Sequence, residues 1–162
     1  MIELPHTGNC LVCGHGNPHG LKLSLHVDPP TGEVRTAFRP SGDHIGFEGI
    51  VHGGLLATVL DEAMVWAATW AGRRFCVCGE MNVRFRESAR VGDELEVIAK
   101  VDVARSKLIT TTGEVRRADG AVLAVATGKY VPVPEDRHRY VVGTLVDEPG
   151  TREAAGVLKA DR

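Results

Sequence analysis

One long apolar stretch, from Ile50 to Ala71, constrains the fold more than any other feature, because it carries two adjacent acidic residues at its centre. The stretch is rich in Ala and Leu and lacks the β-branched density of a strand, which favours a helix from about His52 to Trp70. Asp61 and Glu62 would be very costly in lipid, so we interpret the stretch as a buried helix and not as a membrane span. A helix that is apolar on nearly all sides must be covered on nearly all sides.

Alternating apolar and polar residues predict two strands before this helix and four after it. The first two strands are joined by a turn at Pro29–Gly32, and Asp119-Gly120 is expected to form a tight hairpin turn between the last two. The fold class is therefore predicted to be α+β, with a curved antiparallel sheet wrapped around one long central helix. The predicted strands cover residues 20–28, 33–39, 80–86, 94–103, 107–116 and 121–131.

The length of 162 residues suits one domain, which we divide into a leader (1–19), a main domain (20–132) and a tail (133–162). In the tail we expect a short docking segment at Tyr140–Val146 and a short helix at Thr151–Lys159. A net charge of −2 gives no basic field for nucleic acid or for an anionic membrane. The first ten residues do not have the pattern of a secretory signal, so we expect a cytoplasmic chain whose four cysteines are reduced.

The segment Val51-His52-Gly53-Gly54 lies where a loop becomes the predicted helix. Glycine lets a ligand approach the backbone closely. The first N–H groups of a helix have no internal partner and lie at its positive end, so they can stabilise a carbonyl oxygen that gains negative charge. Asp61 follows about two turns later. The spacing leaves two interpretations of Asp61 open, a buried catalytic carboxylate or the solvated edge of the helix.

Three segments resemble the hotdog-fold acyl-CoA thioesterases of the phenylacetate-pathway type. Gly46-Phe47-Glu48-Gly49-Ile50-Val51-His52-Gly53-Gly54 followed by Leu60-Asp61-Glu62-Ala63-Met64 looks like their signature. Cys10-Leu11-Val12-Cys13-Gly14 with Asn17-Pro18-His19-Gly20-Leu21 is similar to their leader, and Gly79-Glu80-Met81-Asn82-Val83-Arg84-Phe85 to their third strand. The resemblance covers roughly Cys10 to Pro132.

The resemblance implies a site shared between two subunits of a homodimer or homotetramer. The amide of Gly53, followed by Gly54, would polarise the thioester carbonyl, and Asp61 of the other subunit would activate water or attack directly. His52 would shape the start of the helix and contact the thioester. The resemblance also implies that CoA is part of the substrate and that the chain needs neither a cofactor nor a metal.

Two positions depart from the pattern of the family. Many relatives have Asn near the position of Gly46, and His44 is the nearest side chain that could substitute. Relatives often have Ser or Thr at the start of the third strand, where this chain has Cys78-Gly79. Glu62 or Glu80 is then a candidate to help position water.

Two further groups of residues were considered as sites. Cys10-X-X-Cys13 has zinc-like spacing with His15 and His19 nearby, but we favour reduced, packed cysteines. The loop residues Arg105, Ser106 and Lys107 are candidate contacts for the phosphates of CoA. A second basic group, Arg84, Arg86 and Arg90, is diluted by acidic neighbours and is expected to be a solvated strand face.

The predicted function is therefore hydrolysis of an acyl-CoA thioester to a carboxylic acid and CoA. The alternative is an acyl-CoA sensor or carrier without catalysis, motivated by the two departures from the family pattern. A hydratase or dehydratase ranks last, because it needs a His beside a carboxylate, and His52 lies too far along the helix from Asp61.

Overall fold

The computed structural model describes residues 1–160, which form one large sheet, a long helix and a set of short elements. The helices are α1 (Gly53–Gly72), α2 (Glu135–Gly143) and α3 (Arg152–Lys159), with single 3-10 turns at Gly42–His44 and Pro149–Thr151. The strands are β1 (Ile2–Glu3), β2 (Leu25–Val27), β3 (Val34–Phe38), β4 (Ile45–Phe47), β5 (Ile50–Val51), β6 (Cys76–Phe85), β7 (Leu95–Arg105), β8 (Leu108–Arg117) and β9 (Val122–Pro132).

The large sheet has seven strands in the order β1-β2-β3-β7-β8-β9-β6, and each neighbouring pair is antiparallel. Helix α1 packs against β3, β6, β7, β8 and β9. The predicted α+β hotdog fold, one long helix held by an antiparallel sheet, is therefore confirmed. Within residues 1–160, no helix has both the length and the apolar character needed to cross a membrane.

The centre of the core is the contact between α1 and the two strands that cross its middle. Met64 is fully buried, and glycines on β8 and β9 leave room for its side chain. A Cβ atom at Gly113 would lie 2.9 Å from the Met64 sulfur, and one at Gly128 would lie 2.9 Å from the Met64 methyl group. Both distances are shorter than real Cβ contacts, so glycine at these two positions lets the helix approach the sheet.

Helix α1 ends at Gly72, two residues after the predicted end at Trp70, and this glycine does not cap the helix. Gly72 is the last helical residue, and a Cβ atom there would lie 2.8 Å from the Ile109 side chain. The left-handed residue that closes the helix is Arg73, with φ of 52°, and its guanidinium lies 4.5 Å from the centre of the Trp70 ring. Gly72 thus packs closely against the end of the Ile109 side chain on β8, and the left-handed conformation belongs to Arg73.

The leader is part of the packed structure, and it shortens the first predicted strand. The N–H groups of Leu21 and Leu23 donate to the carbonyl oxygens of Leu11 and Val12, at 2.8 and 2.9 Å. These bonds take the place of pairing within the sheet, so β2 begins only at Leu25. The strand predicted over 20–28 was therefore too long at its start.

The tail contains two helices, of which the sequence predicted one, α3, and not the other, α2. The helix predicted at Thr151–Lys159 is present as α3, whereas α2 covers part of the segment expected to be polar and irregular. His138 is the buried residue of α2, and its ring accepts from Phe75 N–H at Nδ1 and lies 3.1 Å from the Leu158 carbonyl oxygen at Nε2. One buried residue gives no apolar periodicity, so the pattern had no signal for this helix.

Candidate active site

The start of α1 presents one free backbone N–H group. His52 caps the helix, since Gly54 N–H donates to His52 Nδ1 at 2.9 Å, and Leu55 N–H donates to the His52 carbonyl oxygen. His52 N–H in turn donates to the His44 carbonyl oxygen at 2.8 Å. Among residues 1–160, no acceptor faces Gly53 N–H, so this group remains available at the positive end of a 20-residue helix.

Gly53 N–H lies at a pocket of about 460 Å³ between the start of α1 and the end of β6. The ring of Phe85 lies against Gly53, because a Cβ atom there would be 3.4 Å from two ring carbons. The other lining residues are Gly46, Phe47, Ile50, Val51, His52, Leu56, Arg86, Glu87, Ser88 and Ala89. A mostly apolar pocket that holds the free Gly53 N–H and one arginine suits a small acyl group with a polarised carbonyl.

Gly46, one of the two departures from the family pattern, packs directly against the helix cap. A Cβ atom at this position would lie 3.1 Å from the His52 ring and 3.2 Å from its Cα. His44 does not take over the role of the Asn through Nδ1, because that atom accepts a hydrogen bond from Ser41 N–H at 3.0 Å. A side chain at position 46 would therefore displace His52, the residue that caps α1.

Asp61 lies further along α1, where it accepts a hydrogen bond from a tyrosine of β9. The hydroxyl of Tyr130 donates to Asp61 Oδ1 at 2.8 Å. Tyr130 is fully buried, and burial together with the Asp61 carboxylate raises the pKa of its hydroxyl above the usual range. The thiol of Cys78 lies near both groups, and partial desolvation, then Asp61, raises its pKa. Asp61 thus belongs to a half-buried polar cluster and not to a solvated helix edge.

A β-bulge at Gly79 gives Cys78 its position beside Asp61. Cys78 pairs with Tyr130 and Glu80 pairs with Lys129, so Gly79 is the extra residue on β6. Lys129 and Glu80 are exposed and joined by an ion pair of 2.9 Å between Nζ and Oε2. Glu80, considered above for positioning water, therefore points away from the Asp61 cluster.

Glu62 faces the leader instead of the Asp61 cluster. Its carboxylate accepts a hydrogen bond from Trp66 Nε1 at 3.0 Å and lies beside the sulfurs of Cys10 and Cys13. Burial is the main reason that the pKa of Glu62 is raised. The thiol of Cys13 lowers the pKa of Cys10 to about 5 by donating a hydrogen bond to its sulfur. The structure thus brings Glu62 together with the two leader cysteines and leaves Asp61 with Tyr130.

Gly53 and Asp61 cannot act on the same atom within one chain. Eight residues of α-helix separate them by about 12 Å along the axis. Asp61 also does not line the pocket at Gly53. A site that uses both groups needs Asp61 from a second copy of the chain.

The hairpin residues considered for CoA lie at the other end of α1 from Gly53. Arg105 and Ser106 line a pocket of about 520 Å³, whereas Lys107 does not. Arg73, Arg74, Arg139 and Lys159 line the same pocket, and Glu135 is the acidic residue among its lining side chains. The helix is about 28 Å long, so this basic pocket and the Gly53 pocket of one chain are separate.

Sequence reasoning missed three residues that shape the site. Phe85 and Arg86 were assigned to a strand and a solvated face, but both line the pocket at Gly53. Tyr130 was one residue of an apolar run, although a buried tyrosine hydroxyl usually needs a partner. The need of a buried tyrosine hydroxyl for a partner could have suggested Asp61, because Asp61 lies on the helix that packs against the strand of Tyr130.

A family model, described as thioesterase superfamily, matches residues 48–124. A curated Schizosaccharomyces pombe protein, described as uncharacterized, is 26% identical over 99 residues, which are 58% of this chain and 57% of that protein. A crystal structure of a thioesterase superfamily protein is 27% identical with a TM-score of 0.70, and the match covers 76% of this chain and 60% of the other. The chain thus spans less than two thirds of either relative.

Two further solved structures share the fold at lower identity. The PaaI protein from the phenylacetic acid degradation operon of E. coli has a TM-score of 0.65 at 19% identity over 70% of this chain and 81% of that one. A Streptococcus mutans protein bound to acetyl CoA has a TM-score of 0.64 at 16% identity over 68% of this chain and 88% of the other. At these identities the two structures show that the fold is similar.

Proposed function

We propose that the chain hydrolyses the thioester of an acyl-CoA to a carboxylic acid and free CoA, a proposal supported by the match of a thioesterase superfamily model to residues 48–124. The observation that carries this proposal is the free N–H of Gly53 at the start of α1, at an apolar pocket. A backbone donor at a helix N-terminus stabilises the oxyanion that forms when a thioester carbonyl is attacked. The Streptococcus mutans neighbour bound to acetyl CoA supports CoA as the carrier.

In the proposed reaction, Gly53 N–H donates to the carbonyl oxygen of the thioester. Asp61 of a second copy accepts a proton from a water molecule, whose oxygen attacks the carbonyl carbon. The carbon–sulfur bond then breaks, and Asp61 returns its proton to the leaving CoA sulfur, which gives the thiol and restores the carboxylate. The Tyr130 hydroxyl, 2.8 Å from Asp61 Oδ1, holds one carboxylate oxygen and leaves the other for water.

Self-association through β6 would supply the second copy of the chain. β6 is the last strand of the large sheet, so one edge of its backbone has no neighbouring strand among the described residues. Val77 and Phe85 on this strand are exposed. An edge strand with exposed apolar side chains favours pairing with an identical strand into a continuous sheet.

The Asp61 role is tested by thiol release from a panel of acyl-CoAs. Asp61→Asn keeps the size of the side chain and removes its charge, and we expect it to lower turnover by ~10²-fold or more. The control is Asp102→Asn on β7, an exposed carboxylate that accepts from Thr112 Oγ1 at 3.3 Å. Turnover near that of the wild type in folded Asp61→Asn would remove Asp61 from the reaction.

The Gly53 role has its own test, because proline lacks the N–H in question and suits the first position of a helix. His52 has a ψ of 128°, which is compatible with a following proline. Gly53→Pro should therefore keep the helix and lower turnover by ~10²–10³-fold.

Mixed oligomers test whether each site is shared between two copies. If each site takes Gly53 from one copy and Asp61 from the other, mixing Gly53→Pro chains with Asp61→Asn chains should restore activity, because one site then has both native residues. No recovery of activity in mixed oligomers would refute the shared site.

A second candidate function is binding of acyl-CoA without hydrolysis. It is favoured by Cys78, which stands beside Asp61 where relatives often have a water-holding Ser or Thr. Binding of acyl-CoA with no thiol release from any member of the panel would support this alternative.

A further inference from the structure

Three side chains from opposite ends of the chain converge at a site away from the Gly53 pocket and the Asp61 cluster. They are His6 and His15 of the leader and Glu148, which precedes the 3-10 turn at Pro149–Thr151. One potential ligand atom from each residue lies within 4.8 Å of the other two. The rings of His6 and His15 lie 4.3 Å apart between centroids.

His6 is the unusual member of this group, because its ring is buried without a hydrogen-bond partner. The residue is 4% exposed, and neither Nδ1 nor Nε2 has a hydrogen-bond partner among the described residues. A buried polar group without a partner is destabilising and calls for an explanation such as a bound ion.

The spacing within the group fits a metal better than it fits a hydrogen bond. His6 Nε2 lies 3.5 Å from Glu148 Oε1, which is long for a charge-assisted hydrogen bond. Two ligands of a tetrahedral zinc ion with bonds of ~2.1 Å lie about 3.4 Å apart. Two imidazoles and one carboxylate, with water as a fourth ligand, form a common donor set for zinc.

Backbone hydrogen bonds hold the group in place from both sides. Val146 N–H donates to the His6 carbonyl oxygen at 2.9 Å, and Thr7 forms a β-bridge with Leu145. Gly16 N–H donates to the Gly8 carbonyl oxygen at 3.0 Å, which folds the loop so that His15 returns to His6. The ligands are therefore brought together by the fold before any ion binds.

We propose that His6, His15 and Glu148 bind one zinc ion or a similar divalent transition metal, which joins the leader to the segment before α3. This differs from the expectation that the chain holds no metal and from the zinc-like Cys-X-X-Cys spacing. The structure separates His15 from Cys10 and Cys13, which instead group with Glu62. The Glu62 group already satisfies its polar atoms through Trp66 and its own thiols, whereas His6 has no such partner.

The test is zinc binding to the full chain after treatment with a chelator, measured by equilibrium dialysis with metal analysis. We expect one zinc per chain, and His15→Ala and Glu148→Gln should weaken binding by more than ~100-fold, beyond the loss of an outer-shell partner. Both residues are partly or fully exposed, so these variants should fold, which circular dichroism checks. His19→Ala, an exposed histidine of the same leader outside the group, is the matched control and should bind like the wild type.

Cobalt distinguishes the two groups of potential ligands. Cobalt in the histidine site should lack the intense sulfur-to-metal absorption that cysteine ligands produce, and Cys10→Ser should leave metal binding unchanged.

Zinc should also raise the melting temperature of the wild type and of His19→Ala, but not that of His15→Ala. No bound zinc would overturn the proposal and leave His6 and Glu148 as a plain ion pair. Binding that survives in His15→Ala and is lost in Cys10→Ser would overturn it in favour of the cysteines.

Discussion

Replacing Tyr130 by phenylalanine removes one hydroxyl group and keeps the buried ring. The hydroxyl donates to Asp61 Oδ1 at 2.8 Å, a normal length for such a bond. A hydrogen bond to a charged group contributes about 1.5–3 kcal/mol to stability. Asp61 is only half-buried, so water can replace part of what is lost, and we expect a decrease of about 1.5–2 kcal/mol in the free energy of unfolding.

The assay is urea unfolding at neutral pH, with the melting temperature as a second readout. For a chain of this size, the expected loss corresponds to about 3–8 °C. A double-mutant cycle with Asp61→Asn isolates the charge, because asparagine keeps the acceptor oxygen. In that background Tyr130→Phe should cost only about 0.5–1 kcal/mol, which leaves a coupling of about 1 kcal/mol.

Two results would refute this reasoning. A cost below about 0.5 kcal/mol for Tyr130→Phe would mean that the bond contributes no more than an exposed contact. An equal cost in both backgrounds would mean that the hydroxyl does not interact with a charged Asp61.

Three further predictions concern packing, pH and thiol reactivity. Gly113→Ala should lower stability by about 1–3 kcal/mol, because its Cβ would lie 2.9 Å from the Met64 sulfur; urea unfolding measures this, and Met64→Ala in the same chain should recover part of the loss. Burial raises the pKa of Glu62 in the folded chain, so the unfolded chain ionises first and wild-type stability should fall as pH rises from about 4. Glu62→Gln should remove that fall in unfolding curves taken across pH, and parallel curves would contradict the burial argument. Iodoacetamide at neutral pH should modify Cys10, whose pKa is lowered to about 5, well before Cys76, whose pKa burial raises to about 11; mass spectrometry of the labelled peptides decides the order.

The sequence was sufficient to predict the fold because its strongest patterns are local. The helix predicted from His52 to Trp70 matches α1, and the turn at Asp119-Gly120 matches a hairpin with a positive φ of 90° at Gly120. Alternation placed β7, β8 and β9 within a few residues of their observed ends. In each of these elements, the residues that set the structure are close in sequence.

Alternation failed at the start of β6. This strand begins at Cys76, four residues before the predicted start, because the bulge at Gly79 interrupts the two-residue period. The extra residue makes the sequence around Gly79 look irregular, although the hydrogen-bonded pairing of β6 with β9 continues on both sides of the bulge.

The candidate site was predictable only where its residues follow one another in the chain. The role of His52 as a cap and the free N–H of Gly53 follow from a loop that becomes a helix. The bond between Asp61 and Tyr130 joins residues 69 positions apart, and no spacing rule predicts it. The two groups of potential ligands in the leader depend on partners from α1 and from the tail, which explains why Cys10 and His15 could not be separated in advance.

Because Gly113 and Gly128 let Met64 pack tightly, oxidation of this methionine would report transient unfolding of the protein. Oxidation of the thioether would add an oxygen atom where even a methyl group on Gly113 or Gly128 does not fit. Because Met64 is fully buried, we expect the folded chain to shield it from peroxide, and we expect a sulfoxide formed during transient unfolding to hinder the return of α1 to the sheet. Ageing of a stored sample should thus produce two populations, intact chains and chains that can no longer close their core.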